Sequence, residues 1–189
     1  MRLALLLFIL CTFVACNSSV KDTDETEVNE TEAVGTGKAS DVLIENQTTH
    51  VFSDTAAPDT FKITLRGDSL LTSKATLEII SSNGEVLYKN EFAADFLFDY
   101  NLQANATAQE KEEFIRDRVK NFFNAENFIK PAIKPEHRLD PNYSNKAVWD
   151  EIKADTSAVG FHYQLGKEDG RWLAYSKKQN KVVLYLNCC

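Results

Sequence analysis

Apolar and polar residues alternate in the first half of the chain with the period of a β-strand. One alternating run covers residues 61–66, and a second covers residues 75–80. Such a period is typical of a strand that buries one face. Asn83-Gly84 then precedes a third run over residues 85–89, and this dipeptide between two apolar runs is the strongest short signal for a hairpin. The pattern therefore predicts N-terminal hairpins. The apolar residues that follow are expected on a further extended segment: Phe92, Phe96, Phe98 and Tyr100.

The middle of the chain changes to a helical period. Ile115, Val119 and Phe122 recur at the spacing that places them on one face of a helix. Thr107 followed three residues later by Glu110 has the form of a capping box, in which each side chain bonds the backbone of the other residue. These signals predict one long amphipathic helix with Thr107 as its N-cap and its apolar face on a sheet.

Prolines interrupt the pattern after this helix. They stand at positions 131, 135 and 141, and proline both removes a backbone donor and restricts the residue before it. Residues 128–143 are therefore expected to form an irregular connection. A short helix is expected from Asn145 to about Lys153, with Ser144 as its N-cap and Trp149 on its inner face.

Three further apolar runs end the chain, and the first of them alternates with polar residues. They cover residues 161–165, 172–175 and 182–186, and polar turn segments separate them. We interpret them as a three-strand antiparallel meander. Strands at both ends with helices between them predict the α+β class, as a single domain over residues 42–189. The expected architecture is a mainly antiparallel sheet with one long amphipathic helix and one short helix packed on it.

The first sixteen residues have a different pattern. Met1-Arg2 precedes an apolar run over residues 3–10, which is too short to span a bilayer as a helix but has the layout of a secretory signal peptide. The segment ends in Val14-Ala15-Cys16. This triplet resembles the lipobox of bacterial lipoproteins, and the resemblance implies that residues 1–15 are removed and that Cys16 is lipidated. An ordinary cleaved signal that leaves a free Cys16 thiol is the alternative.

An acidic, polar stretch follows over residues 17–41. It contains seven carboxylates, two lysines and no aromatic residue, so it carries most of the net charge of −7. Its apolar surface is too small to offset the entropy lost on ordering, and a flexible stalk between the lipid and the domain is expected. The remainder of the chain has no basic excess that would attract nucleic acid.

The lipobox, the acidic stalk and the hairpin style together resemble cell-envelope lipoproteins of Bacteroidota. That resemblance implies acylation, palmitate included, and an outer-membrane protein that is firmly anchored by more than one chain. It leaves open whether the domain faces the periplasm or the cell surface, and it implies no activity and no ligand-binding residues. The membrane, through the lipid, is the first partner expected, and an envelope protein or glycan is the second.

Cysteine usage adds little to the fold. Besides Cys16, the expected mature chain retains the adjacent pair Cys188 and Cys189. Adjacent cysteines close a disulfide only as a strained small ring, so the pair provides no structural framework. Three interpretations stay open: an exposed reduced tail, which we favour, an intermolecular bridge, and a soft-metal or redox site.

Motifs that would assign an enzyme class are absent from the sequence. It contains no nucleophile elbow, no zinc-protease helix, no phosphate-binding loop and no dinucleotide glycine fingerprint, and no cofactor is expected. His50, His137 and His162 are scattered, without partners at metal-ligand spacing. His162 alternates with core residues, so it is expected on the wetter face of its strand, either solvated or with one hydrogen bond.

Four oxygen-bearing side chains have the spacing of positions 1, 3, 5 and 12 of an EF-hand loop. They are Asp140, Asn142, Ser144 and Glu151. Calcium binding is the weaker interpretation, because the loop lacks the usual glycine and no helix precedes it. Asx turns at Asp140 and Asn142, followed by a helix cap at Ser144, account for the same residues, and no metal site is predicted.

Two further groups are candidates for binding or catalysis. Asp95 and Asp99 form a carboxylate pair of the kind that acts in glycoside hydrolysis, provided that both lie on one face of a strand. Tyr163, Trp172 and Tyr175 are predicted on strands, where their rings can stack on a ligand. A non-enzymatic binding module is the favoured hypothesis. An envelope glycan or peptide hydrolase that uses the two aspartates, and a carrier of a small apolar ligand, are the alternatives.

Overall fold

The computed structural model describes residues 41–188, which lie within one compact unit of the chain. This part contains eight strands and two α-helices in the α+β class that the sequence predicts. The strands are β1 (Val42–His50), β2 (Asp59–Arg66), β3 (Lys74–Ile80), β4 (Val86–Ala93), β5 (Phe128–Ile129), β6 (Gly160–Leu165), β7 (Asp169–Ser176) and β8 (Lys181–Cys188). The helices are α1 (Ala108–Lys120) and α2 (Lys146–Ala154). The predicted lipid site at Cys16 and the stalk lie outside the described residues.

The strands divide into two antiparallel sheets of four strands each. The N-terminal sheet has the order β1-β2-β3-β4, and the C-terminal sheet has the order β5-β6-β7-β8. Helix α1 joins the two sheets along the chain, and α2 lies between β5 and β6. The predicted C-terminal meander is therefore confirmed and extended by the short strand β5. Strand β1, an edge strand with no clear alternation of its own, is an addition to the predicted elements.

The alternation over residues 61–66 places one face of β2 in the core. In register, Phe61 faces Ile79 and Ile63 faces Leu77 across the β2–β3 ladder. These four side chains are fully buried. The hairpin between β3 and β4 is confirmed as well, and its turn is closed by hydrogen bonds between Gly84 N and Ser81 O (2.9 Å) and between Ser81 N and Glu85 O (2.8 Å). Gly84 has a φ of +89°, so glycine relieves the strain that a side chain would cause there.

The extended segment expected after β4 is wrong beyond Phe92. Pairing of β4 with β3 ends where Ala93 meets Lys74, the first residue of β3, so no strand remains for the chain to pair with. Residues 94–97 instead form a single 3₁₀ turn that leaves Phe96 half-exposed. Phe98 and Tyr100 follow in irregular structure before α1.

Both sheets contribute to one hydrophobic core. The rings of Phe61 from β2 and Phe161 from β6 meet edge to face with centroids 5.1 Å apart. Helix α1 adds the buried side chains of Ile115 and Val119, and Phe122 follows just after the helix ends. Each such side chain contributes roughly 1.5–3 kcal/mol when it is fully buried. The apolar stripe of α1 is thus part of the core, as the sequence predicts.

A second, smaller core lies on the opposite face of the C-terminal sheet. Along β7 the side chain of Leu173 packs in the first core, whereas that of Ala174 packs in the second. Helix α2 covers this face with Trp149 and Ile152, and the Trp149 ring lies 6.4 Å from that of Tyr185 on β8. The helices therefore pack at different places: α1 at the core shared by the two sheets, and α2 on the outside of one sheet.

The caps of the two helices differ in how well the sequence predicts them. At α1 the capping box is present: Glu110 N donates to Thr107 Oγ1 (3.3 Å) and Thr107 N donates to Glu110 Oε2 (2.7 Å). At α2 the expectation that Ser144 is the N-cap is wrong. The cap is Asn145, whose side-chain oxygen accepts from the backbone of Ala147 at 3.0 Å. Asn and Ser cap helices about equally well, so composition does not distinguish two adjacent candidates.

Two findings concern the anchor and the C-terminal cysteines. Within residues 41–188, neither helix has the length and apolar character needed to cross a bilayer. Cys188 is disulfide-bonded, which differs from the reduced tail that we favoured from the sequence. Cys189 lies outside the described residues.

Candidate functional site

The strongest candidate site lies beside β6, where the C-terminal sheet is incompletely paired. Strand β5 has only two residues and pairs with β6 at Phe161 and Gly160, so the following part of β6 has no neighbouring strand on that side. The end of α1 lies against this open edge. Arg118 Nη2 donates to the backbone carbonyl of Gln164 at 3.3 Å and so satisfies part of the unpaired edge.

A small cavity remains between α1 and β6, which we call the α1–β6 cavity. Its volume is about 70 Å³. A single buried water needs roughly 10–15 Å³ of such space, so the cavity holds a few waters or one small polar group. The lining residues are Arg118, Asn121, Phe122, Asn127, His162, Tyr163 and Gln164.

Unpartnered polar atoms are concentrated at this cavity. Arg118 Nε, His162 Nε2 and Gln164 Nε2 are each buried and have no hydrogen-bond partner in the protein. Within residues 41–188 the only other buried side-chain atom of this kind is Ser144 Oγ. A buried polar group without a partner costs roughly 1–3 kcal/mol, and more when it belongs to a charged side chain. Three of them at one cavity indicate a place where a polar ligand or water completes the bonding.

The charge at the cavity comes from Arg118. Its Nη1 lies 3.6 Å from Asp99 Oδ2, an ion pair whose side chains are 29% and 15% exposed. Burial lowers the pKa of His162 from its usual value, and the positive charge of Arg118 lowers that pKa further. His162 is therefore neutral at pH 7, and its Nε2 either donates or accepts according to its tautomer.

The position of His162 differs from the expectation of a solvated side chain. Its imidazole stacks on the indole of Trp172, with ring centroids 4.2 Å apart and an angle of 26° between the rings. The two residues face each other across the β6–β7 ladder. The wetter face of β6 is thus covered by a neighbouring aromatic ring and by α1, a tertiary effect that alternation along one strand does not reveal.

Tyr163 is the predicted ligand-binding residue that lines this cavity, but its ring belongs to the shared core. The side chain is 3% exposed, and its hydroxyl lies 2.7 Å from that of Tyr88. Asn90 Nδ2 also donates to the Tyr163 hydroxyl at 3.3 Å. Burial raises the pKa of Tyr163 far above its usual value, so the phenol stays protonated.

The other two predicted ligand-binding aromatics lie at different cavities. Trp172 lines one of about 180 Å³ beneath α2, together with Trp149 and Tyr185. Tyr175 lines an open groove of about 310 Å³ between the end of α2 and the β7–β8 turn, beside Glu151 and Lys177. The structure therefore does not bring Tyr163, Trp172 and Tyr175 together around one ligand.

The predicted carboxylate pair is not on a strand. Asp95 is exposed in the 3₁₀ turn after β4, whereas Asp99 lies in the loop before α1. One oxygen of Asp99 accepts from Asn101 N at 2.7 Å, and the other faces Arg118. Asp99 therefore acts on the α1–β6 cavity through Arg118, and the common strand face on which the hydrolase hypothesis depended is absent.

The residues of the weaker calcium interpretation bond to different parts of the chain. Asp140 Oδ1 accepts from Asn142 N at 2.9 Å, the Asx turn expected from the sequence. Glu151 instead accepts from the Ser176 hydroxyl and from Lys178 N (3.2 Å), and so binds the β7–β8 turn to α2. Residues 41–188 contain no group of three or more His, Cys, Asp or Glu side chains placed to hold a metal ion.

Sequence reasoning missed Arg118 and Gln164. Arg118 is three residues after Ile115, at the border of the apolar stripe, where a long side chain can reach across the helix end. Gln164 and His162 are two residues apart on the same face of β6, so two polar side chains sit side by side on that face. That pairing is the signal in the sequence that points to this site.

Comparisons with known proteins add no assignment. No protein-family model, no curated protein and no solved structure matches the chain.

Proposed function

We propose that the protein is a lipid-anchored cell-envelope protein whose α+β domain is a non-enzymatic binding module. The lipobox ending in Cys16 supports the anchor, and the acidic residues 17–41 support a spacer that holds the domain away from the membrane. The domain begins at β1, directly after this spacer in the sequence. An outer-membrane location follows from the resemblance to Bacteroidota lipoproteins.

One observation carries the binding role: three of the residues that line the α1–β6 cavity each have a buried polar atom without a hydrogen-bond partner. Its lining includes no carboxylate, serine, threonine or cysteine side chain that would act as a nucleophile or as an acid beside His162. A site with hydrogen-bonding groups and no reacting partner favours recognition of a ligand over its chemical conversion.

The packing of the aromatic residues favours this proposal over an apolar-ligand carrier. Phe161 and Tyr163 of β6 stack in the shared core with ring centroids 5.8 Å apart, and Phe122 packs 5.8 Å from Tyr163. A carrier needs such rings to line an enclosed apolar space of about 300 Å³ or more. Here the rings fill the space between the sheets themselves.

Fractionation of cells tests the anchor. Cys16→Ala should move the protein from the membrane fraction to the soluble fraction, because the lipid attachment site is removed. Cys11→Ala is the matched control, since it alters a second cysteine of the same segment and should leave the protein in the membrane. Retention of the Cys16→Ala protein in the membrane fraction would contradict the lipoprotein proposal.

A paired binding and hydrolysis assay tests the non-enzymatic role. The full chain, solubilised in mild detergent, is incubated with envelope glycans and peptides, and both retention and released fragments are measured. We expect retention without fragments, in the wild type as well as in Asp95→Asn and Asp99→Asn. Fragments that appear with the wild type and disappear with both variants would establish the hydrolase alternative instead.

A further inference from the structure

We propose that the α1–β6 cavity is a binding site for a small oxyanion of the size of a carboxylate group. The inference deepens the proposed function by naming the ligand chemistry, and it rests on that function in taking the domain to bind rather than to react. It does not depend on the lipid anchor. The site consists of Arg118 from α1 and of His162 and Gln164 from β6.

The charge of the site selects an anion. Arg118 is the only Lys, Arg, Asp or Glu side chain among the lining residues. Its one carboxylate neighbour, Asp99, lies at 3.6 Å, which is longer than a charge-assisted hydrogen bond of roughly 2.7–2.9 Å. Nη2 is used for the Gln164 carbonyl, whereas Nε is left without a partner. The guanidinium therefore keeps a free Nε donor for a ligand, while Asp99 offsets part of its charge.

The hydrogen-bonding groups agree with the charge. Arg118 Nε and Gln164 Nε2 are donors, and His162 Nε2 is a donor in one of its two neutral tautomers and in the protonated ring. A carboxylate offers four lone-pair sites on two oxygens, so it can accept from several of these groups at once. A cation would meet the positive Arg118, and an apolar group would leave the three atoms unpartnered.

The size of the cavity limits the ligand. A volume of about 70 Å³ is far below the roughly 300–1,000 Å³ of a pocket for a drug-sized molecule or cofactor. A sugar ring or a nucleotide does not fit inside it. Formate or acetate fits, and so does the terminal carboxylate of a larger ligand whose remainder lies outside the cavity.

Anion binding should be coupled to the protonation of His162. Arg118 is the charged residue that faces His162 from α1; the other lining residues and Trp172 on β7 are uncharged, and Asp99 faces Arg118 from the loop before α1. A bound anion offsets the charge of Arg118 and offers the ring an acceptor. Its affinity should therefore rise as the pH falls through the titration of His162.

NMR titration of the full chain in mild detergent tests the site. Sodium formate and sodium acetate are added at constant ionic strength, with sodium chloride as reference, and the signals of Arg118 Nε–H, the Gln164 side-chain amide and the His162 ring are followed. We expect saturable shifts with both carboxylates and none with chloride. A weaker response to phosphate would show that the cavity selects a planar carboxylate, whereas an equal response would show a general oxyanion site.

Matched arginine variants separate the site from general charge effects. Arg118→Gln should weaken formate binding by at least about tenfold, whereas Arg116→Gln removes an exposed arginine from the same helix and should leave it unchanged. Arg118→Lys retains the charge without the Nε donor and should also weaken binding, so the test stands even if the Gln variant folds poorly. Thermal unfolding of each variant identifies any that misfolds.

Two results would overturn the proposal. Shifts that do not saturate, or that are equal in Arg116→Gln and Arg118→Gln, would show weak surface binding only. Absence of any carboxylate response, together with slowly exchanging waters near His162, would show that water alone completes the bonding. In either case, retention of envelope glycans or peptides by the same protein would leave the proposed binding role intact. Failure of the carboxylate site can therefore be distinguished from failure of the proposed function.

Discussion

His162 on β6 stacks on Trp172 of β7, and the two rings are separated by 4.2 Å between centroids. The stack covers one face of the imidazole, while Arg118 from α1 contributes a positive charge at the adjoining cavity. Both effects oppose protonation, since burial and a like charge disfavour the charged form of histidine. Trp172 and Arg118 together therefore favour the neutral form of His162, at a cavity whose charged lining residue is Arg118.

The first prediction is that His162 titrates below the usual value for histidine. Burial is the larger cause of the lowered pKa, and Arg118 is the second, so Arg118→Gln should raise the pKa of His162 towards 6.5. NMR titration of the ring protons measures both values. A pKa of His162 that does not move in Arg118→Gln would show that the charge does not act on the ring.

A consequence for stability follows from the same shift. The unfolded chain binds a proton at its histidine near pH 6.5, before the folded protein does, so the contribution of His162 to folding falls as the pH decreases below that value. The free energy of unfolding should therefore decrease less between pH 7.5 and pH 5.5 in His162→Gln than in the wild type. Chemical unfolding at both pH values measures it. An equal loss of stability in His162→Gln and in the wild type would contradict this role of His162.

Local signals predicted the elements well because each depends on residues close in sequence. The β3–β4 hairpin follows from the turn residues, and α1 follows from its capping box and apolar stripe. The division into two sheets does not follow from such signals, since it depends on which strands pair. The expectations that failed after β4 and at the cap of α2 concern short segments with several suitable conformations.

The candidate site was harder to predict than the fold. It arises because β5 has only two residues and leaves part of β6 unpaired, and neither feature is evident from periodicity. Arg118 reaches this edge from an element 46 residues before Gln164 in the chain. The sequence shows both residues as ordinary polar positions, and only their placement side by side makes them a site.

A second prediction concerns the capping box of α1. Thr107→Ala removes the side-chain acceptor of Glu110 N and should lower the free energy of unfolding by about 1 kcal/mol. Thr55 is exposed in the loop before β2, so Thr55→Ala is the control and should change it by less than about 0.5 kcal/mol. Urea denaturation measures both. Equal effects of the two substitutions would contradict the role of the cap.

A third prediction concerns the contact between β1 and the end of α1. Asn46 Nδ2 donates to the carbonyls of Val119 (2.8 Å) and Lys120 (3.1 Å) in the last turn of α1, where the Val119 carbonyl also accepts from Phe122 N at 3.3 Å. Asn46→Ala should therefore reduce stability by about 1–2 kcal/mol. Gln47→Ala alters the exposed neighbour on the same strand and should cost less than about 0.5 kcal/mol. A similar loss for both would show that the strand, rather than the bond, matters.

The last prediction concerns Gly160, at the start of β6. A Cβ atom there would lie 2.7 Å from Tyr185 Oη, 3.1 Å from an Ile129 side-chain carbon and 3.2 Å from Ala132 Cα. The Tyr185 hydroxyl cannot simply move away, because it is buried and donates to the Ala132 carbonyl at 2.9 Å. Gly160→Ala should therefore cost about 1–3 kcal/mol through overpacking and strain on this bond.

A double-mutant cycle identifies the clash. Tyr185→Phe alone leaves the Ala132 carbonyl unpaired and should cost about 1–2 kcal/mol. In its presence Gly160→Ala should cost less than it does in the wild type, by at least about 0.5 kcal/mol, because the nearest atom has been removed. Gly84→Ala is the control: a Cβ there meets no atom within 4 Å, so its cost comes from the φ of +89° and should be the same with and without Tyr185→Phe. Additive costs for Gly160→Ala and Tyr185→Phe would show that the backbone near Ala132, and not the Tyr185 hydroxyl, is what excludes a side chain at position 160.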